Sequence, residues 1–263
     1  DKQTVYRLDP DLGNVYDVEH QADGVEHIFM TSMNREASGM EGTYSQLPQM
    51  FCIQTGSIVY ISASLGENSR EVMKFMDYES GYQVMRVDND FRETYDDDDL
   101  RKQLMVTTIY NEDGSVLAAY DPSNLTSSDN IKNKFFYPFC RKYTDPKSKS
   151  NRTSANLYLI RFAEVALTYA EAVGPTDEGY RWVNEVRRRA GLDALPEGLS
   201  IEDFREAGIE ERTKELAFEG HGIYDLRRLN RVDEQHITNK AFKPAYAYFY
   251  PAPQRELDLN PQK

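Results

Sequence analysis

The run LYLIRFAEVALTYAEA, Leu157 to Ala172, constrains the fold more than any other stretch of this chain. It is almost entirely apolar, yet it keeps Arg161, Glu164 and Glu171. Wound as a helix, Arg161, Glu164, Thr168 and Glu171 fall on one narrow stripe, because residues three and four apart share a face. The other faces are apolar and include Ala163, Ala166 and Ala170, small residues that let neighbouring helices approach closely. The pattern predicts one helix over 157–173, packed on most sides and stopped by Gly174 and Pro175. A buried charge without a partner is strongly destabilising, so the stripe also predicts counter-charges on the next helices. Arg187, Arg188, Arg189, Arg212, Glu215 and Glu219 are the candidates. A pair of catalytic carboxylates is the functional alternative. Matched Arg and Glu are the ordinary way to satisfy buried charge, so the structural reading is preferred.

Helical signals continue to the C-terminal side. Thr176 caps a second helix with Asp177 and Glu178 in its first turn. Its apolar face is Tyr180, Val183, Val186 and Ala190. Arg187, Arg188 and Arg189 sit at its negative end, and Gly191 stops it. Ser200 and Asp203 resemble a capping box for a third helix reaching about Glu219. A shorter helix follows from Tyr224 to Leu229, and YFYPAPQRELDLNP reads as a proline-punctuated, extended tail. Stacked helix–turn–helix pairs of this kind build a core as helical repeats do.

Before residue 155 helical periodicity is poor. GVEHIFMTSMN contains a strand-like core, His27 to Thr31, and GSIVYISASLG reads as a second extended segment. In QLMVTTIYNEDGSVLAAYD two β-prone runs flank NEDG, which is hairpin chemistry with Gly114 supplying positive φ. The expected fold is mainly α, with helical-repeat (TPR-like) packing and a loop-rich, partly β excursion. Residues 1–155 form the loop-rich, ligand-facing region and 156–263 the helical region.

A net charge of −13 argues against general nucleic-acid binding, which needs a basic surface to neutralise phosphates. No run is long enough to span a bilayer as a helix. Cys52 and Cys140 could pair, but both sit beside aromatic residues and read as buried free thiols. G-x-S-x-G, H-E-x-x-H and Walker A patterns are absent, and the four histidines have no metal-ligand partner at useful spacing. The acidic run Asp96 to Asp99 offers hard oxygen ligands, but it lacks the alternating spacing and turn glycine of a calcium loop and reads as a solvated loop. Neither a metal nor a cofactor is expected.

Four segments in order carry a family resemblance. LYLIRFAEVALTYAEA resembles the RyAEvlLmyAEA helix of the SusD/RagB family, and WVNEVRRRAGL the helix that follows it. IEERTKELAFEGHGIYDLRRL is similar to the family's ER..EL.fEg.R..DL.R stretch, and YFYPAPQRELDLNP to its yPIPqsEldlNP tail. Further upstream, LDPDLGNVYDVEHQADGVEHIFM resembles the approach to an E-x-IF strand. YDDDDLRKQLMVTTIY lies where the family often has an aspartate–arginine pair before a strand. The sequence departs from the pattern at Gly222, where an arginine is usual, and in a short link after Glu171. Family members are much longer, and this chain resembles their C-terminal half.

The resemblance implies a binding protein that does not cleave its ligand. It implies capture of a nutrient, most often a glycan, at the bacterial outer membrane and delivery to a TonB-dependent (SusC-like) transporter. Membrane attachment would come only through an N-terminal lipid anchor that this chain does not contain. It also implies a structural charge network drawn from Arg161, Glu164, Glu171, Arg212, Glu215, Glu219, Asp225 and Arg228. A sugar binder needs exposed aromatic faces and planar polar groups. The loop-rich half supplies Tyr44, Tyr60, Tyr78, Tyr82 and Tyr95. Tyr44 and Tyr60 are the expected ligand contacts, because the family's ligand loops follow the E-x-IF strand. Two rival readings are a helical-repeat scaffold for another protein and a glycan-acting hydrolase with paired carboxylates in an aromatic cleft.

Overall fold

The structure is a computed structural model that describes residues 6–21, 24–36, 45–52, 84–110, 114–121, 134–135, 137–145, 147, 152–232 and 252–259. Among these residues the helices are α1 (Leu12–Tyr16), α2 (Leu47–Phe51), α3 (Asn89–Arg92), α4 (Phe162–Val173), α5 (Asp177–Arg189), α6 (Ile201–Glu215), α7 (Gly222–Arg228) and α8 (Gln254–Leu259). The strands are β1 (His27–Thr31), β2 (Met105–Val106), β3 (Thr108–Tyr110), β4 (Val116–Tyr120), β5 (Lys134–Phe135), β6 (Phe139–Cys140) and β7 (Leu157–Arg161). A 3₁₀ helix spans Leu100–Leu104. Backbone contacts divide the chain into two compact units, Asp1–Glu215 and Leu216–Lys263. The composition change near residue 155 therefore falls inside the larger unit.

The largest departure from the sequence reading is at the opening run. Leu157 to Arg161 is a strand, and the helix begins only at Phe162. β7 pairs antiparallel with β1, placing His27 opposite Arg161 and Met30 opposite Tyr158. The ladder continues one step further, since the Phe162 amide donates to the Glu26 carbonyl (2.8 Å). Helical spacing in the run is real, but a partner strand more than a hundred residues away takes its first five residues. Arg161 is the hinge residue, with extended backbone (φ −129°, ψ 162°) at the N-cap of α4.

The helices of the first unit pack as their apolar faces dictate. Leu167 and Ala170 of α4, Val183 and Val186 of α5 and Phe204 of α6 form one cluster, with Tyr180, Trp182 and Leu8 against it. Trp182 meets Phe162 edge to face, so its ring packs. Thr176 caps α5 through its hydroxyl. Gly191 takes φ +85°, and the Leu192 amide returns to the Arg187 carbonyl (2.9 Å), a left-handed C-terminal stop. Ser200 receives the Asp203 amide (3.0 Å) at the start of α6. This helix ends at Glu215, four residues before the sequence expectation, and Phe218 then adopts φ 68°.

NEDG does join a hairpin: β3 and β4 are antiparallel, with Tyr110 opposite Val116, and Gly114 has φ +82°. β5 adds in parallel to β4, and β2 pairs with β6. Cys52 and Cys140 are free and buried. The extended tail is corrected in part, because Gln254–Leu259 is helical. The Pro253 carbonyl accepts from Glu256 and Leu257, and a proline just before a first turn loses no helical hydrogen bond. The strand read in GSIVYISASLG lies outside the described residues.

Candidate functional site

Four acidic and four basic residues of the first unit converge on one buried cluster. At its centre Glu26, Arg161, Glu215 and Arg189 form a closed ring. Arg161 Nη1 donates to Glu26 (2.6 Å) and to Glu215 (2.7 Å). Arg189 reaches Glu215 with one Nη (2.5 Å) and Glu26 with the other. Arg101 extends the ring, bonding Glu215 (3.3 Å), Glu211 (2.6 Å) and Asp99 (2.8 Å). Arg187 closes on Glu211 (3.0 Å). Four carboxylates thus face four guanidinium groups, and all but Arg187 are almost wholly buried.

Each element delivers its group for a local reason. Glu26 lies immediately before β1, and Arg161 sits at the strand-to-helix switch. Arg189 ends α5, where a cation suits the helix dipole. Glu211 and Glu215 lie one turn apart on α6, so they share a face. Asp99 caps the 3₁₀ helix by accepting the Arg101 amide (2.9 Å) while its carboxylate clamps the same arginine's side chain. Asp99 therefore corrects the solvated-loop reading of the acidic run, although Asp97 remains exposed and pairs with Lys102 (2.8 Å).

The electrostatics follow. Burial alone would raise the Glu215 carboxyl, but Arg189, Arg161, Arg101 and Lys142 outweigh it and hold it far below the usual carboxylate range. Burial would lower Arg101 and Arg189; their carboxylate partners reverse that and raise both. The Glu215 carbonyl also accepts from Lys142 Nζ (2.9 Å) and Arg161 Nη2 (2.8 Å). A carboxylate held this far down stays ionised and cannot lend a proton to a leaving group near neutral pH.

The residues expected in a charge network fall into separate places. Arg161 and Glu215 belong to the ring. Glu164, Thr168 and Glu171 keep a common face of α4, and α6 meets it. Arg212 bonds Thr168 (3.0 Å) and lies 3.5 Å from Glu164, while Arg205 lies 3.6 Å from Glu171. Asp225 and Arg228 pair along α7 (2.7 Å), and Glu219 is buried in the second unit. Glu26, Asp99, Arg101 and Arg189 complete the core of the ring. Glu26 was signalled only by the acid of the family's E-x-IF strand. Asp99 and Arg101 were signalled only by the family's aspartate–arginine pair.

An open cleft of about 900 Å³ lies beside the ring, lined by Leu12, Tyr16, Leu100, Arg141 and Arg189 among others. Glu19 stands on its lip, paired with Arg35 (2.7 Å) and Lys147 (3.1 Å). Among the described residues its one aromatic is Tyr16, which is buried and packs on Tyr158, so the described lining offers a sugar no exposed ring face. Tyr44, Tyr60, Tyr78 and Tyr82 lie outside the described residues. Tyr95 is buried and donates to the Lys214 carbonyl (2.8 Å), which removes it from the exposed aromatics expected of this half. Among the described residues no cluster of His, Cys, Asp and Glu is arranged to hold a metal.

A mainly helical chain with small β ribbons, tied by a buried Arg–Glu ring, is the class these features define. Comparison with known proteins narrows it. The model of the SusD family matches residues 25–262, and the chain belongs to that family. SusD-like protein P2 of Formosa agariphila is 26% identical over 271 residues, covering 97% of this chain and 50% of that protein. Surface glycan-binding protein A from Bacteroides thetaiotaomicron, solved in complex with laminarihexaose, superposes with a TM-score of 0.69 at 20% identity, covering 99% of this chain and 55% of the other. B. fragilis NanU gives a TM-score of 0.63 at 22% identity over 98% of this chain and 53% of its own. The chain thus spans about half the length of these relatives, and the structural likeness speaks for the fold.

Proposed function

We propose that this chain is part of a non-catalytic protein that captures a glycan at the bacterial cell surface and passes it to a TonB-dependent, SusC-like outer-membrane transporter. The observation that carries this reading is family membership across residues 25–262. A fold relative that holds laminarihexaose supports glycan as the ligand class. The buried ring is not a hydrolytic carboxylate pair. Its carboxylates are locked by arginines, whereas a glycosidase needs one carboxyl group protonated and both facing a sugar. Attachment at the outer membrane is assigned to a lipid anchor, as the family resemblance implies. Among the described residues no helix is long and apolar enough to cross a membrane.

The test is affinity electrophoresis of the full-length protein in gels containing soluble polysaccharides, with assay for released reducing sugar. Retardation without release is expected. Release of sugar overturns the non-catalytic assignment, and indifference to every polysaccharide overturns glycan capture. Co-purification of the transporter from detergent-solubilised outer membranes is the expected sign of the partnership.

A further inference from the structure

We propose that the exposed apolar face of α4, continued by the β1–β7 ribbon, is the seat on which the rest of the full-length polypeptide packs. As a surface helix, α4 is inside out. Its only charged residues, Glu164 and Glu171, are half-buried against α6, where Arg212 lies 3.5 Å from the first and Arg205 3.6 Å from the second. Thr168 is exposed, but its hydroxyl is taken by Arg212 (3.0 Å). Ala163, Ala166, Leu167 and Ala170 are buried, and the last two pack with Val183, Val186 and Phe204. The residues left facing water are Val165 (44% exposed), Tyr169 (46%) and Ala172. Offsets of four and three residues put these on one stripe. The ribbon leading into the helix has the same character: Phe29 and Ile160 stand opposite each other, and both are exposed.

A helix that meets water turns its charges outward and its apolar stripe inward, and one that is apolar on nearly every side is a buried helix. α4 spends its charges on α6 and offers water an apolar stripe, the pattern of a helix built to have neighbours on two sides. Single apolar residues on a surface need no explanation, but a stripe that runs on from a ribbon of like character marks a contact face. The occupant follows from chain length. SusD-like protein P2 matches 97% of this chain with 50% of its own length, and surface glycan-binding protein A matches 99% with 55%. A full-length relative therefore has nearly as much chain again to place. A stripe without a charged side chain selects an apolar surface, and the small Ala172 lets a helix come close. Packing by the same polypeptide is intramolecular and holds at any dilution, whereas a second copy would have to compete against dissociation.

The experiment is hydroxyl-radical footprinting of the full-length wild-type protein, at a concentration where light scattering shows a monomer. Oxidation of Tyr169 is expected to be slower than in the urea-unfolded protein by on the order of tenfold or more, as for a side chain in a close-packed interior. Since the wild type carries this readout, it does not depend on any variant folding. Val165→Cys, a nearly isosteric change, and Ala172→Cys are expected to react with a maleimide no faster than the buried Cys52 and Cys140 of the same folded monomer. Mass spectrometry of the digested protein locates both modifications. Oxidation of Tyr169 close to the unfolded rate, or ready labelling of the Val165→Cys and Ala172→Cys proteins while Cys52 and Cys140 stay silent, overturns the proposal. Protection that vanishes when an oligomer is diluted to monomer gives the face to a second copy and overturns packing by the same polypeptide. Glycan capture is read separately, by retardation in polysaccharide gels, and stands or falls on its own.

Discussion

Glu215→Gln is the sharpest test of the buried ring. The substitution keeps the shape of the side chain and removes one charge of a balanced set of eight. Arg161, Arg189 and Arg101 then face an amide in place of the carboxylate they now reach at 2.7, 2.5 and 3.3 Å. The amide nitrogen also points a donor at donors. Leaving a buried charge uncompensated costs about 3–5 kcal/mol. At roughly 2–4 °C per kcal/mol for a chain of this size, the melting temperature should fall by about 10 °C. Chemical and thermal unfolding of wild type, Glu215→Gln, Arg189→Met and the double variant would measure it. The double variant should lose markedly less than the two singles added together, since the second change removes the charge the first one stranded. A Glu215→Gln protein within about 0.5 kcal/mol of wild type, a change typical of open surface sites, would refute the claim that this ring holds the fold.

The same carboxylate makes stability depend on pH. Its folded value is depressed, so its contribution is complete above the unfolded value near 4.5 and is lost as pH falls below that toward the folded value. Unfolding free energy measured through this acid range should fall steeply for wild type and less steeply for Glu215→Gln. Gly179→Ala should be destabilising by roughly 1–3 kcal/mol or more, because its Cβ would lie 2.0 Å from the Gly174 carbonyl oxygen. Gly208→Ala on α6, where a Cβ meets nothing within 4 Å, should raise stability by about 0.5–1 kcal/mol in the same melts. A thiol reagent should find no reactive cysteine in the folded protein and both Cys52 and Cys140 after denaturation.

What could be read in advance divides by the range of the interaction. The NEDG hairpin, the Thr176 cap, the Gly191 stop and the His27–Thr31 strand were legible because each rests on a few neighbouring residues. The run at 157–161 was misread as helix because its partner strand lies far upstream, and no local pattern records that pairing. The tail helix was missed because its prolines outweighed the helix-forming QRELDL that follows them. At the ring, Arg161 and Glu215 stood out as charges within strong apolar or helical patterns. Glu26 and Asp99 did not, since an acid in a loop, alone or at the end of an acidic run, looks the same whether it meets solvent or an arginine.

The ring also sets a schedule on synthesis. Arg189 follows Glu26 by 163 residues. At about 5–20 residues per second, the interval is on the order of 10–30 s. For most of it Glu26 has neither Arg161 nor Arg189 to neutralise it, and Arg161, once made, has Glu26 but not yet Glu215, so burying the set early would be unfavourable. The early ribbon is thus barred from closing a dry interior prematurely, and the first unit can settle only when α6 emerges carrying Glu215. The last carboxylate made is the latch for the whole unit.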